Sequence, residues 1–292
     1  MERPCVLILG SVSAAVTHVV EDSFFVKGFV QNHLGIDCAE FFSALQKDAD
    51  WTDPSDPALK YRGRELARQK AFYVKDDHSD EVMLLDEEPE VMPIYRYPGF
   101  QYGSMRHYRG FNALPKLQTL IQELHRRMTF NDQPVDPNHA ILTNYRGADD
   151  NIGYHSDKIR DITPNTPIIS LSFGETREMH LGLPDPKDPK MKTTTTHRVV
   201  LEPGDLFILG SKTNVKYRHA IVPVAEEKTI KRQPGVEVGP RISIVFRDIK
   251  SRITRDEARK KAKVTEKRRA LKPASSKVGK PNSPKKGRGR KQ

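Results

Sequence analysis

The sequence predicts an α+β, mainly β fold, and three observations carry that prediction. Helical periodicity is confined to the first half of the chain. Short apolar alternations separated by turn residues fill residues 141–249, with no helices between them. Residues 250–292 hold almost nothing to bury. The 292 residues therefore divide into an N-terminal helix/strand extension (1–140), a strand-rich core (141–249) and a basic C-terminal tail (250–292).

In chain order, "CVLILGSVSAAVTHVV" is interrupted by Gly, Ser, Thr and His and follows an almost neutral "MERP", so it reads as an ordinary strand or helix and not as a signal segment. A strand is expected at "SFFVKGFV", followed by a short amphipathic helix at "DCAEFFSALQKDADW". In "NALPKLQTLIQELHRRM", Leu117, Leu120, Ile121 and Leu124 recur at helical spacing, and Pro115 belongs in a first turn. In "PIISLSFG", Ile169, Leu171 and Phe173 alternate with Ser170, Ser172 and Gly174, so one face is buried. "HRVVLEPGDLFILG" reads as two strands of a hairpin around Glu-Pro-Gly-Asp; "KYRHAIVPV" and "RISIVFRDI" add two more. Strands at this spacing suggest a sandwich or barrel.

Charge is uneven along the chain. Residues 250–292 carry 18 Lys/Arg against Asp256, Glu257 and Glu266, a net +15 within a whole-chain +11, which leaves the body mildly acidic. "SRITRDEARKKAKVTEKRRALK" can form a charged helix, and "PASSKVGKPNSPKKGRGRKQ" reads as disordered. "SPKK" (283–286) and "GRGRK" (287–291) suit phosphates and the minor groove, so nucleic acid is the expected partner of the tail and nuclear import a second use of it. No apolar run reaches the ~18 residues of a membrane span. The two cysteines, Cys5 and Cys38, are too few for a disulfide framework. The expectation is an intracellular monomer with no membrane partner.

The tripeptide His-Ser-Asp occurs twice, at 78–80 and 155–157. On an extended segment residues two apart share a side, so His155 and Asp157 can grip one ion, and His219 in "YRHAIVPV" supplies a third ligand from a separate strand. Two histidines and a carboxylate on one face of an iron leave the other face open. His78 and Asp80 lie in an acidic stretch with no strand before it and no matching partner downstream, and read as loop. In "RISIVFR", Arg241 and Arg247 are an even number of residues apart and share a face ~20 Å long at ~3.3 Å per residue. Two arginine forks reaching inward suit a small dicarboxylate.

"NYRGADDNIGYHSD", "PIISLSFGETREMHLG", "LEPGDLFILGS", "RHAIVPV" and "PRISIVFR" resemble, in order and spacing, the AlkB family of 2-oxoglutarate/Fe(II) dioxygenases. The resemblance spans residues 20–249 and is strongest over 141–247. It implies a double-stranded β-helix (jelly-roll) core. It also implies that His155, Asp157 and His219 ligate Fe(II) as the catalytic centre, and that Tyr145, Arg241 and Arg247, with Asn144 and Ser243, hold 2-oxoglutarate. "RQKAFY" and "YRYPG" resemble the family's nucleotide-recognition segment, which makes Tyr97, with Tyr95 beside it, the aromatic platform for a flipped-out base. The implied activity consumes 2-oxoglutarate and O2 to demethylate alkylated DNA or RNA. The same chemistry on a protein or lipid, or an inactive nucleic-acid-binding domain, are the alternatives.

Three positions depart from the family pattern. Thr143 stands where the family has Asn, with Asn144 next to it. Ser243 and Val245 occupy the middle of the final motif. Ile159 stands at the substrate position where DNA-repair members carry an acidic residue that contacts the damaged base, and an apolar side chain cannot make that hydrogen bond.

Overall fold

Alternation of side chains along an extended strand is the feature that organises this molecule. In Arg241–Arg247, Ile242, Ile244 and Phe246 interleave with Arg241, Ser243, Val245 and Arg247, so the strand must satisfy an apolar layer on one side and a polar one on the other. The computed structural model describes residues 7–9, 15–53, 55–57, 59–60, 66, 68–75, 91–97, 100–188 and 192–270. The first His-Ser-Asp copy (His78, Asp80) and the tail beyond residue 270 lie outside them.

The elements are β1 (Leu7–Leu9), β2 (Val16–Val20), β3 (Ser23–Val26), α1 (Phe29–Leu34), α2 (Cys38–Asp48), β4 (Gln69–Val74), β5 (Val91–Pro93), β6 (Tyr108–Gly110), α3 (Pro115–Arg127), β7 (Met128–Phe130), β8 (Gln133–Pro134) and β9 (His139–Tyr145). They continue as β10 (Ile152–His155), β11 (Ile168–Gly174), β12 (Arg177–Pro184), β13 (Thr193–Leu201), β14 (Leu206–Leu209), α4 (Ser211–Lys216), β15 (Arg218–Ile221), β16 (Arg241–Arg247), β17 (Arg252–Thr254) and α5 (Arg255–Ala270). An eight-stranded sheet in the order β2-β3-β14-β11-β16-β9-β4-β6 faces a four-stranded sheet β10-β15-β12-β13, the two-layer arrangement of a jelly roll. Pairing is antiparallel except between β4 and β6.

The outer face of the large sheet carries Ala71, Tyr73, Leu142, Ile169, Leu171, Phe173, Ile242, Ile244 and Phe246, and the helices close over it with Phe41, Leu45, Leu117, Leu120 and Leu124. Helix α2 starts at Asp37, whose carboxylate accepts the Glu40 amide at 2.8 Å. Helix α3 has Pro115 in its first turn, where the missing N–H costs nothing. Its stripe Leu117, Leu120, Ile121 and Leu124 is buried as the periodicity requires. The inner face packs Phe72, Ile141, Phe207, Leu209 and Val245 against Met179, Leu181, Val199 and Ile221 of the small sheet.

Four local expectations change. The strand expected over "SFFVKGFV" ends at Val26, because Gly28 at φ 60° turns the chain into α1. "HRVVLEPGDLFILG" is not a hairpin. Strand β13 pairs with β12 in the small sheet, while β14 pairs with β11 and β3 in the large one. The Glu-Pro-Gly-Asp turn therefore carries the chain from one layer to the other; Gly204 is at φ 86°, and a Cβ there would strike the Gln31 side chain. Strand β11 is buried on both faces, Ser172 being 2% exposed, since helices cover one side and the small sheet the other. Finally, the chain stays with the body after Ile249: β17 pairs with β5, and Ala258 of the charged helix α5 is buried in the inner-face core.

Candidate active site

The predicted ligands converge where the small sheet ends. Strands β10 and β15 run antiparallel with His155 and His219 as direct cross-strand partners, so their side chains emerge together, ring centroids 4.2 Å apart. Asp157 lies two residues past the end of β10, and the sheet does not position it. Asn214 does: the Asp157 amide donates to Asn214 Oδ1 (2.8 Å) and Asn214 Nδ2 donates to the Asp157 carbonyl (2.9 Å). Ligand atoms of His155, Asp157 and His219 all fall within 4.8 Å of one another.

The electrostatics suit a cation. His155 Nδ1 donates to the Gly153 carbonyl at 2.9 Å, which fixes the tautomer and leaves Nε2 as the free lone pair, 3.8 Å from Asp157 Oδ1. Burial pushes the His155 imidazole below its ordinary value, and burial together with the neighbouring His155 pushes His219 down to about 3. Both rings are neutral donors at physiological pH. Burial works to raise the Asp157 carboxyl, but Arg247, then His219 and His155, outweigh it and hold the group well below the usual carboxylate range. Arg247 donates to Asp157 Oδ2 from Nη2 (2.5 Å) and Nε (3.1 Å). That grip leaves Oδ1 facing the histidines. Two neutral imidazoles and one carboxylate fit a divalent iron.

Arg241 and Arg247 share the inner face as expected, but they are engaged differently. Arg247 is committed to Asp157 and stacks on Tyr95 at 4.5 Å. Arg241 is 1% exposed; its Nη2 donates to Ser172 Oγ at 2.8 Å and Tyr145 interacts with the guanidinium, while Nε and Nη1 make no well-formed hydrogen bond among the described residues. Burial pushes its guanidinium down to about 10, still charged at neutral pH. Unpaired charge at this depth is costly unless an anion completes it. The Tyr145 ring lies 5.3 Å from this guanidinium and Ser243 occupies the next inward position on β16. The set fits the carboxylate of a small dicarboxylic acid.

Asn144 does not join them. Register pairs Arg241 with Tyr145 and Ile242 with Asn144, so Asn144 belongs to the outer face, where its Nδ2 donates to Gln69 Oε1 at 3.1 Å. The adjacent Thr143 holds the inward position opposite Ser243. A shift of one residue exchanges faces, so the family's Asn is replaced here by a threonine and not by its neighbour.

Of the substrate positions, Tyr97 is half-buried and meets Phe100 and Tyr95 at centroid distances of 5.7 and 6.0 Å. Tyr95 is only 1% exposed; its hydroxyl accepts the Lys158 amide at 3.1 Å, so it supports Arg247 and the metal loop from below. Ile159 is 56% exposed and flanked by exposed Lys158 and Arg160. Sequence reasoning missed Ser172, Asn214 and Lys70. The alternation in β11 gave the first away, since Ser172 had to oppose the apolar side. Nothing local marks Asn214. Lys70 faces inward from β4, with its Nζ 4.6 Å from the Tyr97 ring centroid. Burial, Arg68 and Arg247 push its ammonium down to about 7, opposed in part by Asp157.

Comparison with known proteins agrees with this geometry. The family model described as the 2OG-Fe(II) oxygenase superfamily matches residues 41–247, well over half the chain. Two curated relatives, both described as "DNA oxidative demethylase ALKBH2", come from Mus musculus (27% identical over 113 residues) and Homo sapiens (29% over 114). Each alignment covers 38% of this chain and 43% and 40% of those relatives, so the chain spans less than half the length of the curated relatives it matches. A solved structure described as "The structure of OsALKBH1" aligns over 80% of this chain and 99% of its own at 18% identity, with a TM-score of 0.46. The chain belongs to the 2OG-Fe(II) oxygenase superfamily, whose reagents are Fe(II), 2-oxoglutarate and O2, and its likeness within it is to the AlkB-like members.

Proposed function

We propose that this protein is an Fe(II)/2-oxoglutarate-dependent dioxygenase that removes methyl groups from alkylated nucleic acid. One observation carries the reading: a half-buried cation ligand set lies one sheet away from a buried arginine with two nitrogens unpartnered among the described residues. His155, Asp157 and His219 would hold the iron, and Arg241, Tyr145 and Ser172 the distal carboxylate of 2-oxoglutarate. With both bound, the site supplies O2-dependent hydroxylation of a C–H bond coupled to conversion of 2-oxoglutarate into succinate and CO2. On an N-methyl group the hydroxymethyl product releases formaldehyde and leaves N–H.

The protein's own share is positioning. Arg247 keeps the Asp157 carboxylate ionised and aimed, Gly153 fixes the His155 tautomer, and the apolar inner core excludes water. The printed names of the curated relatives support a nucleic-acid substrate, as does the arrangement of aromatic and basic groups. Tyr97, Phe100 and Tyr102 follow one another at centroid distances of 5.7 and 5.4 Å, and Lys261 of α5 lies 5.4 Å from the Tyr102 ring. Helix α5 carries eight Lys/Arg against three Asp/Glu. Rings for bases and cations for phosphates in series suit single-stranded nucleic acid, and the basic residues 271–292 extend that charge in sequence.

The test is succinate formation from 2-oxoglutarate, with mass-spectrometric loss of the methyl group from N-methylated oligonucleotides. Wild type should do both and His155→Ala neither. Equal succinate yields from the two proteins would end the proposal. Removal of residues 271–292 should weaken oligonucleotide binding and flatten its salt dependence.

A further inference from the structure

Lys70 is a basic side chain on the inner face of β4 that the candidate iron and cosubstrate residues do not use. Register pairs Lys70 with Thr143, Thr143 with Ser243, and Ser243 with Ser172, so all four project from the inner face in one row across β4, β9, β16 and β11. Its Nζ reaches the Tyr97 ring, the platform assigned to a flipped-out base. Among the described residues no carboxylate pairs with it. Asp157 is held by Arg247, and Asp161 by Arg96 and Ser251. After Asp157 the chain presents Lys158, Ile159 and Arg160, all exposed and none acidic.

Among the described residues the charges nearest the base platform are positive, apart from Asp157, reserved for metal, and Asp161, held by Arg96. A base that carries a positive charge on its ring, as 1-methyladenine and 3-methylcytosine do, finds no anion there and meets an ammonium. Burial already pushes the Lys70 ammonium down to about 7, so a cationic base enters only against that charge or by driving off its proton, a severalfold loss of affinity. An uncharged base with a ring nitrogen or carbonyl acceptor gains a hydrogen bond from the same group, and a deprotonated amine donates it as well. Resting on the reading above, we propose that Lys70 reads the edge of the flipped-out base and selects uncharged N-methylated bases bearing an acceptor over cationic ones.

The experiment uses the full chain with Fe(II), ascorbate and 2-oxoglutarate, and single-stranded oligonucleotides of one sequence carrying N6-methyladenine, N4-methylcytosine, 1-methyladenine or 3-methylcytosine. Demethylation is followed by mass spectrometry, and affinity by fluorescence anisotropy with Mn(II) replacing iron. Wild type and Lys70→Arg should favour the uncharged bases severalfold in both readouts. Lys70→Met should narrow that preference and Lys70→Glu reverse it, with unchanged circular dichroism. Demethylation with the same base preference in all four proteins, or a wild-type preference for the cationic bases, would overturn the role of Lys70 and leave the demethylase reading intact. Succinate formation with no oligonucleotide bound or altered by any of the four would overturn both.

Discussion

The two faces of the large sheet are built from the same strands and do opposite work. On the outer face Phe246, Ile244, Leu142 and Leu171 are fully buried beneath α2 and α3. On the inner face the intervening positions are Arg247, Ser243, Thr143 and Ser172, equally buried but polar, and in Arg241 incompletely satisfied. The outer layer stabilises through apolar area removed from water, whereas the inner layer holds charges at depth and costs stability to do so. One strand can serve both because its side chains alternate. The candidate functional groups sit at the polar positions of the inner face, interspersed with its own apolar packing, and the separation of the two kinds of position can be tested residue by residue.

The largest effect should come from the outer face. Phe246→Ala removes a fully buried ring and should lower unfolding stability by about 4 kcal/mol, while the fraction that remains folded binds Mn(II) as wild type does. Loss of metal binding in the folded fraction would mean that the faces are coupled. Second is the acid that resembles Asp157 in neighbourhood but not in role. Asp161 is fully buried and paired with Arg96 and Ser251, so Asp161→Asn should cost about 3 kcal/mol near neutral pH, at the low end for a buried pair because Arg96 is partly exposed.

That second cost has a defined pH dependence. Burial works to raise the Asp161 carboxyl, but hydrogen bonds from Arg96 outweigh it and hold the group below its ordinary value. Its contribution is present above the unfolded value of about 3.9 and is lost as pH falls through the lower folded value. The stability gap between wild type and Asp161→Asn should therefore shrink below about pH 4 in urea titrations. A gap independent of pH would mean that the carboxylate charge is not what stabilises.

Third, Arg241→Ala should raise the KM for 2-oxoglutarate about a hundredfold, near 2.7 kcal/mol, with a melting temperature equal to or above that of wild type, because an incompletely paired buried charge is removed. A large fall in melting temperature would show that Arg241 is structural. Smallest is Ile242→Val next to it, expected to cost about 1 kcal/mol of stability and to leave the KM unchanged. These last two residues are adjacent in sequence, so their opposite outcomes would be the sharpest evidence for two independent faces.

Much of this was legible in the sequence because it rests on short periods. The helix stripe Leu117–Leu124, the alternation in β11 and β16, and the even spacing of Arg241 and Arg247 each state a face without any knowledge of neighbours. The convergence of the candidate ligands was legible because His155 and Asp157 are two residues apart and His219 opens an apolar strand. Where local signals were ambiguous the reading failed. Glu-Pro-Gly-Asp marks a turn in any setting, and only the pairing of β13 with β12 and of β14 with β11 and β3 shows that it changes layers. Asn144 and Thr143 are equally plausible to the eye, and only register tells them apart.

The amino-acid sequence by itself determined which residues share a side of each strand and helix, since backbone geometry fixes that within a few residues. The tertiary structure alone decided which sides meet: that Asn214 would brace Asp157, that Arg247 would be consumed by that carboxylate while Arg241 kept two nitrogens open, and that Lys70 would reach Tyr97. Those outcomes depend on contacts between segments 27 to 90 residues apart, and no local period encodes the partner at the far end of such a contact.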